Sequence, residues 1–114
     1  MKKALFLLLF SFSEYSDAAW LNTTGTVSDV ITYASTETVL VVLSSNGAPV
    51  EECSNTTTFA ISKSISEEAR ARMFSILLAA KTTGSSVTLS YNDVGGCEPW
   101  DANSSAYRKI TRLR

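Results

Sequence analysis

The segment that decides the fold runs Thr57-Thr58-Phe59-Ala60-Ile61-Ser62, then Ser64 through Gly84, then Ser86-Val87-Thr88-Leu89-Ser90-Tyr91. Its two flanks alternate apolar and polar residues at period two and are rich in β-branched and aromatic side chains, the pattern of half-buried strands. Between them the period changes. Ala69, Met73, Ile76, Leu77 and Ala80 fall on one helical face. Ser64 with Glu67 three residues on predicts a capping box, and Glu67 and Glu68 put negative charge in the first turn. Lys81 stands in the last turn, and Gly84 is the residue expected to take the left-handed position that ends the helix. Phe74 and Leu78 widen the apolar stripe beyond what one core contact needs, and Arg70 and Arg72 are expected to point to water.

Working outward, Gly25 to Tyr33 reads as a first strand with Val27, Ile31 and Tyr33 on one face, and Ala34-Ser35-Thr36 as a short turn. Glu37 to Leu43 follows as a second strand. Its unbroken Val39-Leu40-Val41-Val42-Leu43 run predicts burial on both faces, inside the domain or against another subunit. Asn46-Gly47-Ala48-Pro49 punctuates the next loop. Downstream, Asn92 to Ser105 reads as a long loop and Ala106 to Leu113 as the last strand. Ile110 and Leu113 have opposite parity there, which requires a bulge or a short strand. The order is therefore β-β-β-α-β-β: all-β with one helix, the order of the OB-fold, a five-stranded Greek-key barrel.

The cysteines agree with that order. Cys53 and Cys97 are the only two, and they predict one disulfide closing a loop of about 45 residues. In an OB barrel strand five runs parallel to strand three, so the segments preceding each lie close together. A thiol with redox or nucleophilic work needs a CxxC pair or a histidine partner, and the sequence has neither.

At the N-terminus, Met1-Lys2-Lys3 precedes the apolar stretch Ala4 to Phe12, the pattern of a secretory signal peptide too short to span a bilayer. Ser16 and Ala18 supply the small residues at −3 and −1, so residues 1–18 are read as the signal and 19–114 as a single OB-fold-like domain that is secreted or periplasmic. No second segment is apolar enough for a membrane span. Lys2, Lys3, Glu14 and Asp17 leave with the signal and cancel, so the net charge of −1 is unchanged. That balance argues against electrostatic nucleic-acid binding.

Catalysis has little to work with. There is no histidine and no Gly-x-Ser-x-Gly elbow. Glu67-Glu68 is explained by helix capping and Glu51-Glu52 by a solvated loop. No enzyme, cofactor or metal is expected. Binding is better served: OB-folds use the loops joining strands one to two and four to five for oligosaccharides or oligonucleotides. Trp100 in the second loop offers a flat apolar face for a sugar ring, with Asp101 and Asn103 beside it to hydrogen-bond hydroxyls, or else it covers the disulfide or an open barrel end. Tyr91 and Asn92, at the end of strand four, can join that surface or form a core edge and a turn. Arg108, Lys109, Arg112 and Arg114 concentrate positive charge at the C-terminus, read as a solvated edge strand or as a surface for an anionic glycan, a lipid headgroup, nucleic acid or an acidic partner. Asn22, Asn55 and Asn103 open N-x-Ser/Thr sequons, expected by chance in a Ser/Thr-rich chain.

Trp20 opening the mature chain, Thr24-Gly25-Thr26-Val27 entering strand one, and Lys81-Thr82-Thr83-Gly84 just before Val87 carry a resemblance. With the signal, the OB order and one disulfide, the chain resembles the B subunits of bacterial AB5 toxins, most closely the subtilase-cytotoxin B-subunit group. It does so over most of the mature chain as architecture, but only in these patches as sequence. The resemblance implies a homo-pentameric ring that binds a cell-surface glycan and delivers a separate enzymatic subunit. It also adds Thr24, the hydroxyl residue before the glycine, to the ligand-binding set. The alternative is a monomeric periplasmic or secreted inhibitor or envelope accessory protein that binds another protein through the basic C-terminal strand.

Overall fold

The computed structural model describes residues 19–114; the signal-peptide expectation lies outside them. Seven strands and one helix follow in the order β1 (Trp20–Thr32), β2 (Val39–Leu43), β3 (Phe59–Ile61), α1 (Glu67–Thr83), β4 (Ser86–Asn92), β5 (Cys97–Trp100), β6 (Asn103–Lys109) and β7 (Arg112–Leu113). The chain is all-β with one helix, and the strands form one curled sheet in the order β5-β6-β3-β2-β1-β4-β7.

Two bends curl it. The first is in β1, which is long enough to serve two neighbours. Trp20 to Thr26 pair antiparallel with β4, and Val27 to Thr32 pair antiparallel with β2, with a register shift between Val27 and Asp29. Up to that shift Thr23, Gly25 and Val27 face inward in alternation. A bulge increases local twist and turns the strand, so the two halves of β1 lie on two walls. The second bend splits the expected last strand at Ile110 and Thr111. β6 runs parallel to β3 and β7 antiparallel to β4. At the bend Ile110 N–H donates to Ala60 O of β3 at 2.9 Å and Thr111 N–H to Ser90 O of β4 at 2.7 Å. The chain passes from one wall to the other here, and the pairings run β1-β2-β3-β6/β7-β4-β1, the circuit of an OB barrel. This bend also explains the parity of Ile110 and Leu113, which are both buried.

Inside lie Val27, Val41, Leu43, Phe59, Ile61, Val87, Leu89, Tyr91, Ile110 and Leu113, closed by Leu77 and Ala80 of the helix. Both parities of β2 are covered within the chain itself: Leu40 and Val41 are buried alike. The disulfide joins Cys53 to Cys97 with their Cα atoms 5.6 Å apart. Among the described residues no helix is long and apolar enough to cross a membrane.

Three local expectations are corrected. The helix is capped by Ser66, not Ser64: the Ser66 hydroxyl accepts the Ala69 N–H at 3.1 Å, while Ser64 belongs to a preceding turn in which its N–H donates to the Ser62 hydroxyl. Arg70 does not point to water. Its Nη1 donates to Lys63 O and Ile65 O and its Nη2 lies 3.0 Å from Glu37, because a side chain in the first turn leans back over the incoming loop and meets its free carbonyls. The loop expected over 92–105 contains strand β5 and the start of β6, paired antiparallel. Gly84 ends the helix as expected, at φ +73°, its N–H bonded to Ala80 O.

Candidate functional site

The β5–β6 hairpin turns at Asp101 and Ala102, with Trp100 and Asn103 facing each other across it and Asp101 held at φ +52°. Asp is one of the few residues that tolerates this left-handed conformation, which is why the turn can sit here without glycine. The hairpin brings Trp100 to the connection between β1 and β2. Tyr33 meets the indole at 5.2 Å between ring centres with planes 66° apart, and Tyr107 of β6 meets it at 5.6 Å and 84°. Both contacts are edge-on, the favoured geometry for aromatic pairs, and they fix the orientation of the indole.

Trp100 with Pro99 and Asp101 forms one wall of an open cleft of about 340 Å³; Ser35, Thr36 and Lys63 form the rest. The cleft lies where the β1–β2 connection meets the end of β5 and the β5–β6 turn, beside the loop that enters the helix. It offers one aromatic surface, two hydroxyls, one amine and one carboxylate.

Beneath it Glu98 joins the three segments. This carboxylate is almost fully buried and accepts hydrogen bonds from the Thr38 hydroxyl at 2.6 Å and the Lys63 N–H at 3.0 Å. Burial alone raises a carboxyl's pKa, but here the Lys63 N–H, the Thr38 and Ser62 hydroxyls and the charge of Lys109 outweigh it and hold Glu98 below the ordinary value. The sign follows. A carboxylate whose folded pKa is depressed contributes stability that is present above its unfolded pKa and lost as pH falls through the folded one. Glu98→Gln is therefore expected to lower the melting temperature at pH 7 and to flatten its fall below about pH 4.5, measured by calorimetry from pH 7 to 3. A mutant melting curve that tracks the wild type at every pH would remove Glu98 as the support of the cleft.

Of the residues the sequence nominated for a ligand, Trp100 and Asp101 line this cleft and the other four do not. Tyr91 is 1 % exposed, its ring packed on Phe59 and its hydroxyl donating to Ala48 O; it is core. Asn92 closes the β4 ladder opposite Trp20. Asn103 shares the hairpin with Trp100 but turns to Ser54, whose hydroxyl accepts from its Nδ2. Thr24 lies on the sheet between β1 and β4, its hydroxyl 2.8 Å from that of Thr88.

The basic C-terminal cluster divides. Arg108 is 1 % exposed, because β6 turns Ala106 and Arg108 inward with Ile110 beyond. Its guanidinium lies 3.9 Å from the centre of the Phe59 ring and donates from Nη1 to Asn46 O and Ala48 O, latching the β2–β3 loop over the barrel. Burial pushes its pKa below the ordinary value, with Tyr91 opposing. Arg112 stays outside, 5.1 Å from the centre of the half-exposed Trp20 ring.

A second groove of about 350 Å³ runs between α1 and the end of β1, lined by Val39, Ala71 and Phe74 with Glu37, Glu67 and Arg70. It is more open, and the Arg70–Glu37 pair already satisfies its main charges.

Sequence reasoning missed Tyr33, Ser35, Thr36, Lys63, Glu98 and Tyr107. The OB order itself held a signal for the first three, because it sets the strand one–two connection beside Trp100. Comparison with protein-family models, with curated proteins and with solved structures finds no match to this chain.

Proposed function

We propose that the chain is an exported, non-enzymatic glycan-binding module and that the cleft at Trp100 takes the sugar. One observation carries this reading: Trp100 is held edge-on by Tyr33 and Tyr107 at the wall of a cleft whose remaining lining is mostly polar. A sugar ring has an apolar C–H face and a rim of hydroxyls. The first stacks on an indole, and the second exchanges hydrogen bonds with Ser35, Thr36, Lys63 and Asp101. An indole fixed before binding loses little side-chain entropy on contact. A single open site of this size binds weakly, and several copies on one assembly strengthen attachment to a glycan-covered surface without any new contact. The toxin B-subunit resemblance implies such self-assembly. Delivery of a separate enzymatic subunit belongs to the same proposal.

The test is a glycan array probed with the mature protein and with Trp100→Ala. Trp100 is only partly buried, so the variant is expected to stay folded, with about tenfold or greater loss on every glycan bound by the parent, equivalent to about 1.4 kcal/mol or more. Undiminished glycan binding by a folded Trp100→Ala protein would sink the assignment.

A further inference from the structure

Ala19, the residue just past the expected cleavage point, is held on both sides of its own backbone by one partner. Its nitrogen donates to Asp93 Oδ1 at 3.0 Å, and Asp93 N–H donates back to Ala19 O at 2.9 Å. The contact continues the β1–β4 ladder one step beyond the Trp20–Asn92 pair. A backbone carbonyl would suffice to satisfy a backbone N–H. A carboxylate at that position is matched to more: an α-ammonium, which carries a full charge and three hydrogens.

We propose that the Ala18–Ala19 peptide bond is the processing site of the exported precursor and that the α-ammonium released at Ala19 is clamped by the Asp93 carboxylate. The proposal rests on the export reading and adds to it the residue that receives the new terminus. A signal-peptide endopeptidase adds water across the bond. The hydroxide joins the Ala18 carbonyl carbon, the C–N bond breaks, and the nitrogen of Ala19 takes the other proton of the water and then the one the new Ala18 carboxyl gives up, leaving a carboxylate and an α-ammonium with no change of oxidation state. Ser16 and Ala18 fit the small-residue requirement at −3 and −1. Cutting one residue later would remove the group Asp93 holds and place Asp17 at −3. Cutting earlier would leave extra residues between the charge and its partner. Processing thus converts a hydrogen bond from a neutral amide to a carboxylate into an ion pair that pins the first strand. Asp93 holds this end of β1, and Arg112 lies over the ring of the next residue, Trp20.

The experiment uses the full chain, exported into an oxidising compartment, purified, and examined by N-terminal sequencing and intact mass. Melting temperatures are then compared for the mature protein, Asp93→Asn, the mature protein with one glycine added before Ala19, and the combination. Asparagine keeps the acceptor oxygen and removes only the charge. The expected results are a terminus at Ala19 and a drop of about 2–5 °C for Asp93→Asn in the Ala19-first chain, shrinking to less than half of that behind the added glycine. An uncleaved precursor overturns the export reading, and a terminus at any other residue overturns the processing site. A terminus at Ala19 with equal Asp93→Asn effects in both backgrounds overturns the clamp alone.

Discussion

Replacing Cys53 and Cys97 together by alanine is expected to lower the stability of the domain by about 4 kcal/mol and its melting temperature by about 15–20 °C. The two cysteines are 44 residues apart, so in the chain-entropy account their bond removes a large loop from the unfolded ensemble. A domain of this size has a total stability of about 5–15 kcal/mol, so the loss is about a quarter of the total or more. The position of the bond adds a local consequence. Cys53 closes a turn through its N–H to Val50 O, and the next two residues donate to Ser105 O and Ala106 O of β6. Cys97 opens the edge strand that ends in Trp100. Without the bond, β5 keeps its pairing with β6, the Glu98 hydrogen bonds and the Tyr33 contact, but its first residue loses the covalent tie to the β2–β3 loop, and the Trp100 wall of the cleft loosens. Calorimetry of the double variant checks the magnitude. A shift below about 5 °C would show that the hydrogen bonds to β6 already hold the β2–β3 excursion without the cross-link.

Phe59→Ala is expected to cost about 4–5 kcal/mol, at the upper end of aromatic truncations in cores. Phe59 is fully buried and pairs with Val41 on one side and Arg108 on the other, so it stands at the junction of the antiparallel and parallel parts of the sheet. Its ring packs on Tyr91 at 5.1 Å and receives the Arg108 guanidinium at 3.9 Å. Truncation leaves a cavity and also removes the face against which a buried cation rests. That cation has two nitrogens, Nε and Nη2, with no hydrogen-bond partner among the described residues. Phe59→Leu, which keeps most of the volume, is expected to cost about 1–1.5 kcal/mol by comparison. Urea denaturation of both variants provides the check. A Phe59→Ala cost under about 2 kcal/mol would mean that the interior is not organised around this ring.

What was legible in the sequence is what periodicity encodes. The change of period at Ser64–Gly84 located the helix, and Gly84 its end. The order of elements located the barrel, and two cysteines in an otherwise cysteine-free chain located the disulfide. The β5–β6 hairpin was not legible because its residues carry the signs of a loop. Gly95 and Gly96 stand just before it, in the β4–β5 connection, at φ +67° and +64°. Pro99, which argues against a central strand, is tolerated because β5 is an edge. Ser62, Ser64 and Ser66 are all able to cap a helix at that spacing, and only the path of the chain selects Ser66. Arg108 reads as surface because charged side chains are almost always there. Its burial depends on two loop carbonyls, at Asn46 and Ala48, that lie far away in sequence. The cleft assembles residues from three connections, and a single-segment motif cannot register such a site.

The most direct test of the central claim uses the fact that the chain has only two tryptophans. Their indole N–H groups give two resolved signals in a ¹⁵N-labelled mature protein, assigned with Trp20→Phe and Trp100→Phe, and the tightest glycan from the array is titrated in. With the sugar seated in the cleft, the Trp100 signal moves in a saturable way while the Trp20 signal stays in place. A shift confined to Trp20, or a bound glycan that moves neither signal, would contradict the claim.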